Sequence, residues 1–285
     1  MSVVITGATA QFGRLVVEGL LASGVPAADI VATGRRTERL ADLGVPYAVA
    51  DFDAPETLLA AFAGADTVLL VSGSEPGNRV AQHTNAIEAA RKAGVRRVVY
   101  TSAPKVSDVE WTLSPEHKAT EEALQASGLA WTILRNNWYH ENYAPTLAQL
   151  ASTGVLLTSS GDGRVASAAR ADLAAAAAVV LTTDGHDGRV YELSGDVAWT
   201  ADEFAAAAAE VLGRPVEVSN VSTDEHRAIL ASAGVDEGTV WFLTSLDADI
   251  RAGVLGDATS DLRALIGRPT TPLVDGLRPL VPANV

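Results

Sequence analysis

The sequence predicts an α/β fold, a doubly wound parallel sheet with a smaller C-terminal lobe, and three observations carry that expectation. Short apolar runs rich in β-branched residues recur through the first half, as strands covered on both faces require. Stretches of helical period separate them, and several close on glycine. The links are short, which makes successive strands parallel, with right-handed crossovers.

Taken in order, the strands are "SVVIT" (2–6), "IVATG" (30–34), "PYAVA" (46–50), "TVLLV" (67–71), "RRVVYTS" (96–102) and "AWTILR" (130–135). The first helix runs from Phe12 to Ser23, with Leu15, Val16 and Leu20 on one face and Gly24 ending it. Pro55 suits the first turn of "PETLLAAFAG", because it lacks an N–H that a helix start leaves unbonded. "GNRVAQHTNAIEAARKAG" and "SPEHKATEEALQASG" are helices of the same kind. Beyond residue 142 the alternation weakens. "GDGRVASAARADLAAAAAVVLTT" reads as a strand or loop and then an Ala-rich helix, "RVYELSG" as a strand, and "TADEFAAAAAEVLG" as a helix whose Thr200 and Glu203 have capping-box spacing. Two aromatic-poor helices and the Pro-rich "IGRPTTPL" follow. The expected division is a sheet domain over 1–142 and a lobe over 143–285 mainly for substrate contacts, with about 163–192 returning to the sheet domain.

Composition narrows the function. With 285 residues and 48% hydrophobic content the chain can bury a large core. A net charge of −14 argues against nucleic acid and anionic membrane, which select basic faces. The apolar run "LAAAAAVVL" is far short of the roughly 20 residues a bilayer needs. The first residues already read as a strand, leaving no room for a signal peptide, so a cytoplasmic location is expected. There is no cysteine to form a disulfide or thiolate site. His83, His186 and His226 stand apart without metal-ligand spacing, and no metal is expected. A homodimer stays open.

The first strand runs at once into "TGATAQFG" and a helix, the context in which a glycine turn holds a dinucleotide pyrophosphate. Gly7 fits the tight turn, Gly13 fits close helix–strand packing, and Ala10 places only a methyl where the phosphates approach. The cofactor set begins with Gly7, Thr9, Ala10, Gln11, Phe12 and Gly13. After the second strand come Arg35 and Arg36, with no carboxylate until Glu38. A guanidinium grips a 2′-phosphate through paired hydrogen bonds, so NADPH is favoured over NADH. Asp51 at the third strand end falls near the adenine, and Val71, Ser72 and Gly73 at the fourth fall near the nicotinamide ribose.

These stretches, with "QHTNAIEAARKAGVRRVVYTS", "SPEHKATEEAL", "ILRNNWYHENYAP", "GRVYELSGDVAWT" and "LIGRPTTPL", resemble the NmrA-like atypical short-chain dehydrogenase/reductases, in particular the bacterial NADPH:quinone oxidoreductases. The resemblance implies a Rossmann NAD(P)-binding domain with a small C-terminal lobe and hydride transfer from NADPH to a quinone. It also places Asn136 at the cofactor. Three departures stand out: Ala10 where the turn usually has a second glycine, Asn137 within "RNNWY" where the pattern has glycine, and a different loop over 103–113. A tailoring oxidoreductase of aromatic polyketides fits the same chain, and NmrA-like relatives add a third option, an NADP(H) sensor without turnover.

Ordinary short-chain dehydrogenases use Tyr-x-x-x-Lys after the fifth strand; here that place holds His117 and, four residues on, Glu121. Such spacing puts both on one helical face, so Glu121 is expected to orient a His117 proton donor. The other reading has His117 only hydrogen-bonding the neighbouring loop or the cofactor ribose. Ser102 is either a donor to the substrate oxygen or a loop cap. A quinone also lessens the need for an acid, since orientation supplies much of the catalysis. "NNWYHENY" crowds aromatics after the sixth strand in a chain with 5% aromatic content. Asn137, Trp138, Tyr139 and Tyr143, with Trp111 from the preceding loop, are therefore the candidate substrate wall, with core packing as the competing reading.

Overall fold

The computed structural model describes residues 2–73, 75 and 77–282. It divides into two compact units, the first formed by 1–107, 113–136 and 171–192 and the second by 108–112, 137–170 and 193–285.

The first unit opens with β1 (Val3–Ile5), α1 (Gln11–Ala22), β2 (Ile30–Gly34), β3 (Tyr47–Val49), α2 (Pro55–Phe62) and β4 (Thr67–Leu70). It continues with α3 (Arg79–Ala93), β5 (Arg97–Ser102), α4 (Ser114–Ala126), β6 (Ala130–Asn136), α6 (Arg170–Thr182) and β8 (Arg189–Leu193). The strands form one sheet in the order β3-β2-β1-β4-β5-β6-β8. β1 pairs in parallel with both β2 and β4, so Val4 faces Val31 on one side and Val68 on the other. The order reverses at β1, and in such sheets ligands bind beyond the carboxyl ends of the strands at that point.

Side-chain alternation explains how both faces are covered. Val4, Val68, Leu70, Val98 and Tyr100 point to one face and pack with Leu58 and Phe62 of α2, Ala86 and Ile87 of α3, and Leu124 of α4. The intervening Ile5, Leu69 and Val99 are equally buried. The alanines of α6 let it approach α1, where a side chain at Gly19 would meet Ala178 Cβ at 3.5 Å. Arg97 is buried at the start of β5, and its guanidinium donates to Val180 and Leu181 carbonyls in the last turn of α6.

The second unit contains α5 (Ala144–Thr153), β7 (Val155–Thr158), α7 (Ala201–Leu212), β9 (Glu217–Asn220), α8 (Thr223–Ser232), α9 (Glu237–Arg251), α10 (Asp261–Ile266) and α11 (Leu273–Leu277). Thr200 and Glu203 form the expected reciprocal cap on α7. The two-stranded parallel pair β7–β9 is not foreseen in the sequence. Each strand has four residues and is largely half-exposed, too short and too mixed for a period to show. Trp241 and Phe242 lie on α9, so the aromatic-poor expectation fails there, and the Pro-rich tail carries α10 and α11 at its ends.

Candidate functional site

The carboxyl ends of β1, β2, β3 and β4 enclose a cleft of about 730 Å3, counting its solvent mouth. Its wall comes from Thr6, Gly7, Thr9 and Ala10 after β1, Gly34 and Arg35 after β2, Ala50 to Phe52 after β3, and Val71 to Gly73 after β4.

Gly7 has φ +64°, a left-handed conformation that glycine adopts without strain. Ala10 ends the turn at φ −101°, ψ 164°, an extended geometry open to any residue, so the backbone does not ask for glycine there. No side chain caps α1 at Ala10, and its first turn holds no acidic residue. The positive end of the helix dipole is thus turned to the cleft with no carboxylate in its own first turn, which suits a pyrophosphate. Gly13 does not line the cleft; a Cβ there would fall 2.7 Å from the Gly7 carbonyl oxygen. It lets α1 start directly under the turn. Gly34 plays a similar part, since a Cβ would lie 2.6 Å from Thr9 Cγ2.

At the rim, Arg35 pairs with Glu75 at 3.2 Å, both substantially exposed. Of the adjacent arginines only Arg35 lines the cleft; Arg36 turns out into solvent at the start of a 3-10 turn. The Gln82 amide bridges Asp53 Oδ2 at 3.1 Å and Glu75 Oε2 at 3.2 Å. Gln11 and Phe12 do not line the cleft either: Gln11 is exposed on α1 and Phe12 is buried. Asn136 lies buried at the end of β6, outside the cleft wall. Sequence reasoning missed Thr6, Gly34, Ala50, Phe52, Glu75 and Gln82; only Gly34, a glycine ending a strand, carried a readable signal.

The expected His117–Glu121 pair does not form. Glu121 Oε1 accepts from Ser102 Oγ at 2.6 Å and from Arg135 Nε at 2.9 Å. Arg135 also reaches Glu192 at 2.9 Å and Ser107 at 2.6 Å. Buried carboxylate and guanidinium satisfy each other, and a neutral imidazole on the same helical face is a weaker partner. His117 Nδ1 instead contacts the Tyr100 hydroxyl at 2.7 Å. Burial, with Arg79 and His83 nearby, pulls the His117 pKa down to about 3, and burial pushes the Tyr100 phenol up. At neutral pH His117 is therefore uncharged and shares one hydrogen bond with the Tyr100 hydroxyl, and no imidazolium is available as an acid. Ser102 spends its proton on Glu121.

The candidate aromatic wall falls in the second unit. Tyr143 packs against Trp199 and Phe204, with ring centroids 5.3 Å and 4.6 Å away, which realises the core reading for that residue. Asn137 is committed at both ends of its amide, to the Trp138 N–H and the Leu255 carbonyl. Arg170 lies over the Tyr139 ring at 5.0 Å. Trp138 is half-buried and Trp111 is buried. Among the described residues no three His, Asp or Glu side chains converge as metal ligands, and no helix is long and apolar enough to cross a membrane.

Residues 7–184 match the NAD(P)H-binding family. The chain is 41% identical to quinone oxidoreductase 2 of Escherichia coli (strain K12) over 285 residues, covering 99% of each. The crystal structure of an E. coli NADPH-dependent quinone oxidoreductase complexed with NADPH superposes with a TM-score of 0.93 at 40% identity, covering 98% of this chain and 100% of that one. Triphenylmethane reductase of Citrobacter sp., complexed with NADP(H), gives 0.91 at 36% identity, with 98% and 100% coverage. A strand–turn–helix cleft of this shape and a near full-length likeness agree: the chain belongs to the NAD(P)H-binding family, in the branch that holds the E. coli quinone oxidoreductase.

Proposed function

We propose that the protein is an NADPH-dependent reductase of quinones and related flat aromatics. The observation that carries this reading is the uncapped N-terminus of α1 opening on the cleft, with Arg35 at its rim. Gly7, Thr9 and Ala10 would hold the pyrophosphate, Arg35 the 2′-phosphate, and Asp51 with Phe52 the adenosine side. When bound, the reduced nicotinamide supplies a hydride. The full-length likeness to a quinone oxidoreductase supports a quinone as its acceptor.

The chain's own residues then position rather than protonate. His117 is neutral, with Nδ1 taken by Tyr100, and Ser102 is bonded to Glu121. An uncharged imidazole is too weak an acid to release its one N–H proton, and Ser102 could release its own only by breaking its buried bond to Glu121, so the hydroquinone anion takes its proton from water. Orientation of the two rings is the remaining source of rate.

Steady-state oxidation of NADPH with a set of benzoquinones and naphthoquinones tests the reading. Turnover with quinones, and a flat rate between neutral pH and mildly acidic pH, is expected. NADPH binding with no oxidation by any quinone would overturn it and leave sensing of the nucleotide in its place.

A further inference from the structure

The segment just beyond β4 is held in an unusual way. Val71, Ser72 and Gly73 lie past the last ladder residue, Leu70, so their N–H groups have no strand to pair with. Each is instead accepted by a buried side chain from a different element. Thr6 Oγ1 takes the Val71 N–H at 2.9 Å, Thr101 Oγ1 takes Ser72 at 2.9 Å, and His83 Nε2 takes Gly73 at 3.0 Å. The Gly73 carbonyl is fixed as well, by Arg79 Nε at 2.9 Å, and Arg79 is anchored in turn on Glu116 at 2.8 Å.

These contacts dictate the chemistry of His83. Accepting an N–H at Nε2 requires a lone pair there, so the ring proton sits on Nδ1. Nδ1 meets Thr120 Oγ1 at 3.0 Å, and that hydroxyl donates onward to the Glu116 carbonyl at 2.9 Å. One tautomer alone satisfies the whole chain, and protonation would set two N–H groups against each other. The ring is fully buried between Phe52 and Tyr100, and burial with Arg79 beside it keeps its pKa at about 3.

We propose that His83, together with Thr6, Thr101 and Arg79, is a positioning residue that pre-forms the Val71–Gly73 wall of the cleft and thereby sets the affinity for NADPH. The proposal rests on the cleft being the dinucleotide site. A wall already ordered leaves binding nothing to freeze, whereas each backbone residue that must be ordered on binding weakens affinity by roughly tenfold. His83 touches no cofactor atom in this scheme; it acts through the Gly73 peptide.

The test compares wild type with H83L, which removes the acceptor, H83Q, which restores one at the Nε2 position, and T101V, which deletes the Ser72 acceptor without changing volume. Equilibrium titration of NADPH by quenching of tryptophan fluorescence, thermal unfolding of the free protein, and kcat at saturating NADPH are measured for each. H83L and T101V are expected to bind NADPH about tenfold more weakly with kcat within threefold, and H83Q to recover most of the lost affinity. A purely structural role would lower the unfolding temperature and leave Kd alone. Folded H83L or T101V with wild-type Kd overturns the proposal; if H83L does not fold, T101V decides. Wild type that binds NADPH but reduces no quinone removes the proposed activity and leaves this inference standing. Wild type that takes up no NADPH removes both.

Discussion

The guanidinium of Arg135 holds the carboxylate of Glu121 through two parallel hydrogen bonds, Nε to Oε1 at 2.9 Å and a terminal nitrogen to Oε2 at 2.7 Å. Both side chains are buried. Removing Glu121 leaves the buried Arg135 with the half-exposed Glu192 and Ser107 alone and takes the acceptor from Ser102, a loss of about 3 kcal/mol, the low end for breaking a buried pair. Glu121→Ala is therefore expected to lower the urea midpoint by that equivalent. A loss below about 1 kcal/mol would mean that Glu192 and water can carry Arg135 alone.

His83 and His117 make stability depend on acid. Each is neutral in the fold with a pKa near 3, against 6.5 when unfolded. Above 6.5 neither state binds the proton, so the pair has no effect there. As pH falls from 6.5 towards 3 only the unfolded chain is protonated, and stability drops by about 1.4 kcal/mol per pH unit per histidine. Urea unfolding across this window should show the slope, and His117→Phe should remove about half of it. A flat profile would contradict the buried, neutral assignment.

Arg35 is the candidate selector of the 2′-phosphate. Arg35→Ala is expected to weaken NADPH by about tenfold while leaving NADH unchanged, the scale of one exposed charge-assisted hydrogen bond. Glu75→Gln should move NADPH affinity the other way, because the carboxylate at 3.2 Å competes for the same guanidinium. Isothermal titration with both nucleotides checks this. Equal losses for NADPH and NADH would detach Arg35 from selectivity.

Ala10 offers a trade between stability and binding. Ala10→Asp would place a carboxylate where it can cap α1, worth about 1 kcal/mol of stability. The same carboxylate would sit where phosphates are expected, so NADPH affinity should fall by tenfold or more, roughly what one like charge nearby exerts. Higher thermal stability with unchanged affinity would place the pyrophosphate elsewhere.

The features legible in the sequence are those written by neighbours in the chain. A strand, a Gly7 turn and a helix are contiguous, so their periods and glycines declare themselves. Pairings between distant residues do not. Spacing rightly put His117 and Glu121 on one helix, but Arg135 arrives from β6 and offers a full charge, which decides where Glu121 goes. His83 looked isolated because its partner is a backbone N–H that only the fold brings within 3.0 Å. Tyr143 was ambiguous for the same reason: an aromatic cluster reads alike whether it faces a ligand or meets Trp199 and Phe204 inside.

The late arrival of β8 bears on synthesis. Residues 171–192 rejoin the sheet after the chain has passed through 137–170, which belong to the other unit. A nascent chain that has emerged only as far as β6 presents that strand's unpaired edge and lacks both Glu192 for Arg135 and the α6 carbonyls for Arg97. An open edge of this kind recruits other strands. On the ribosome the first unit therefore cannot close until residue 192 is out, and a fragment ending at 142 is expected to aggregate rather than fold.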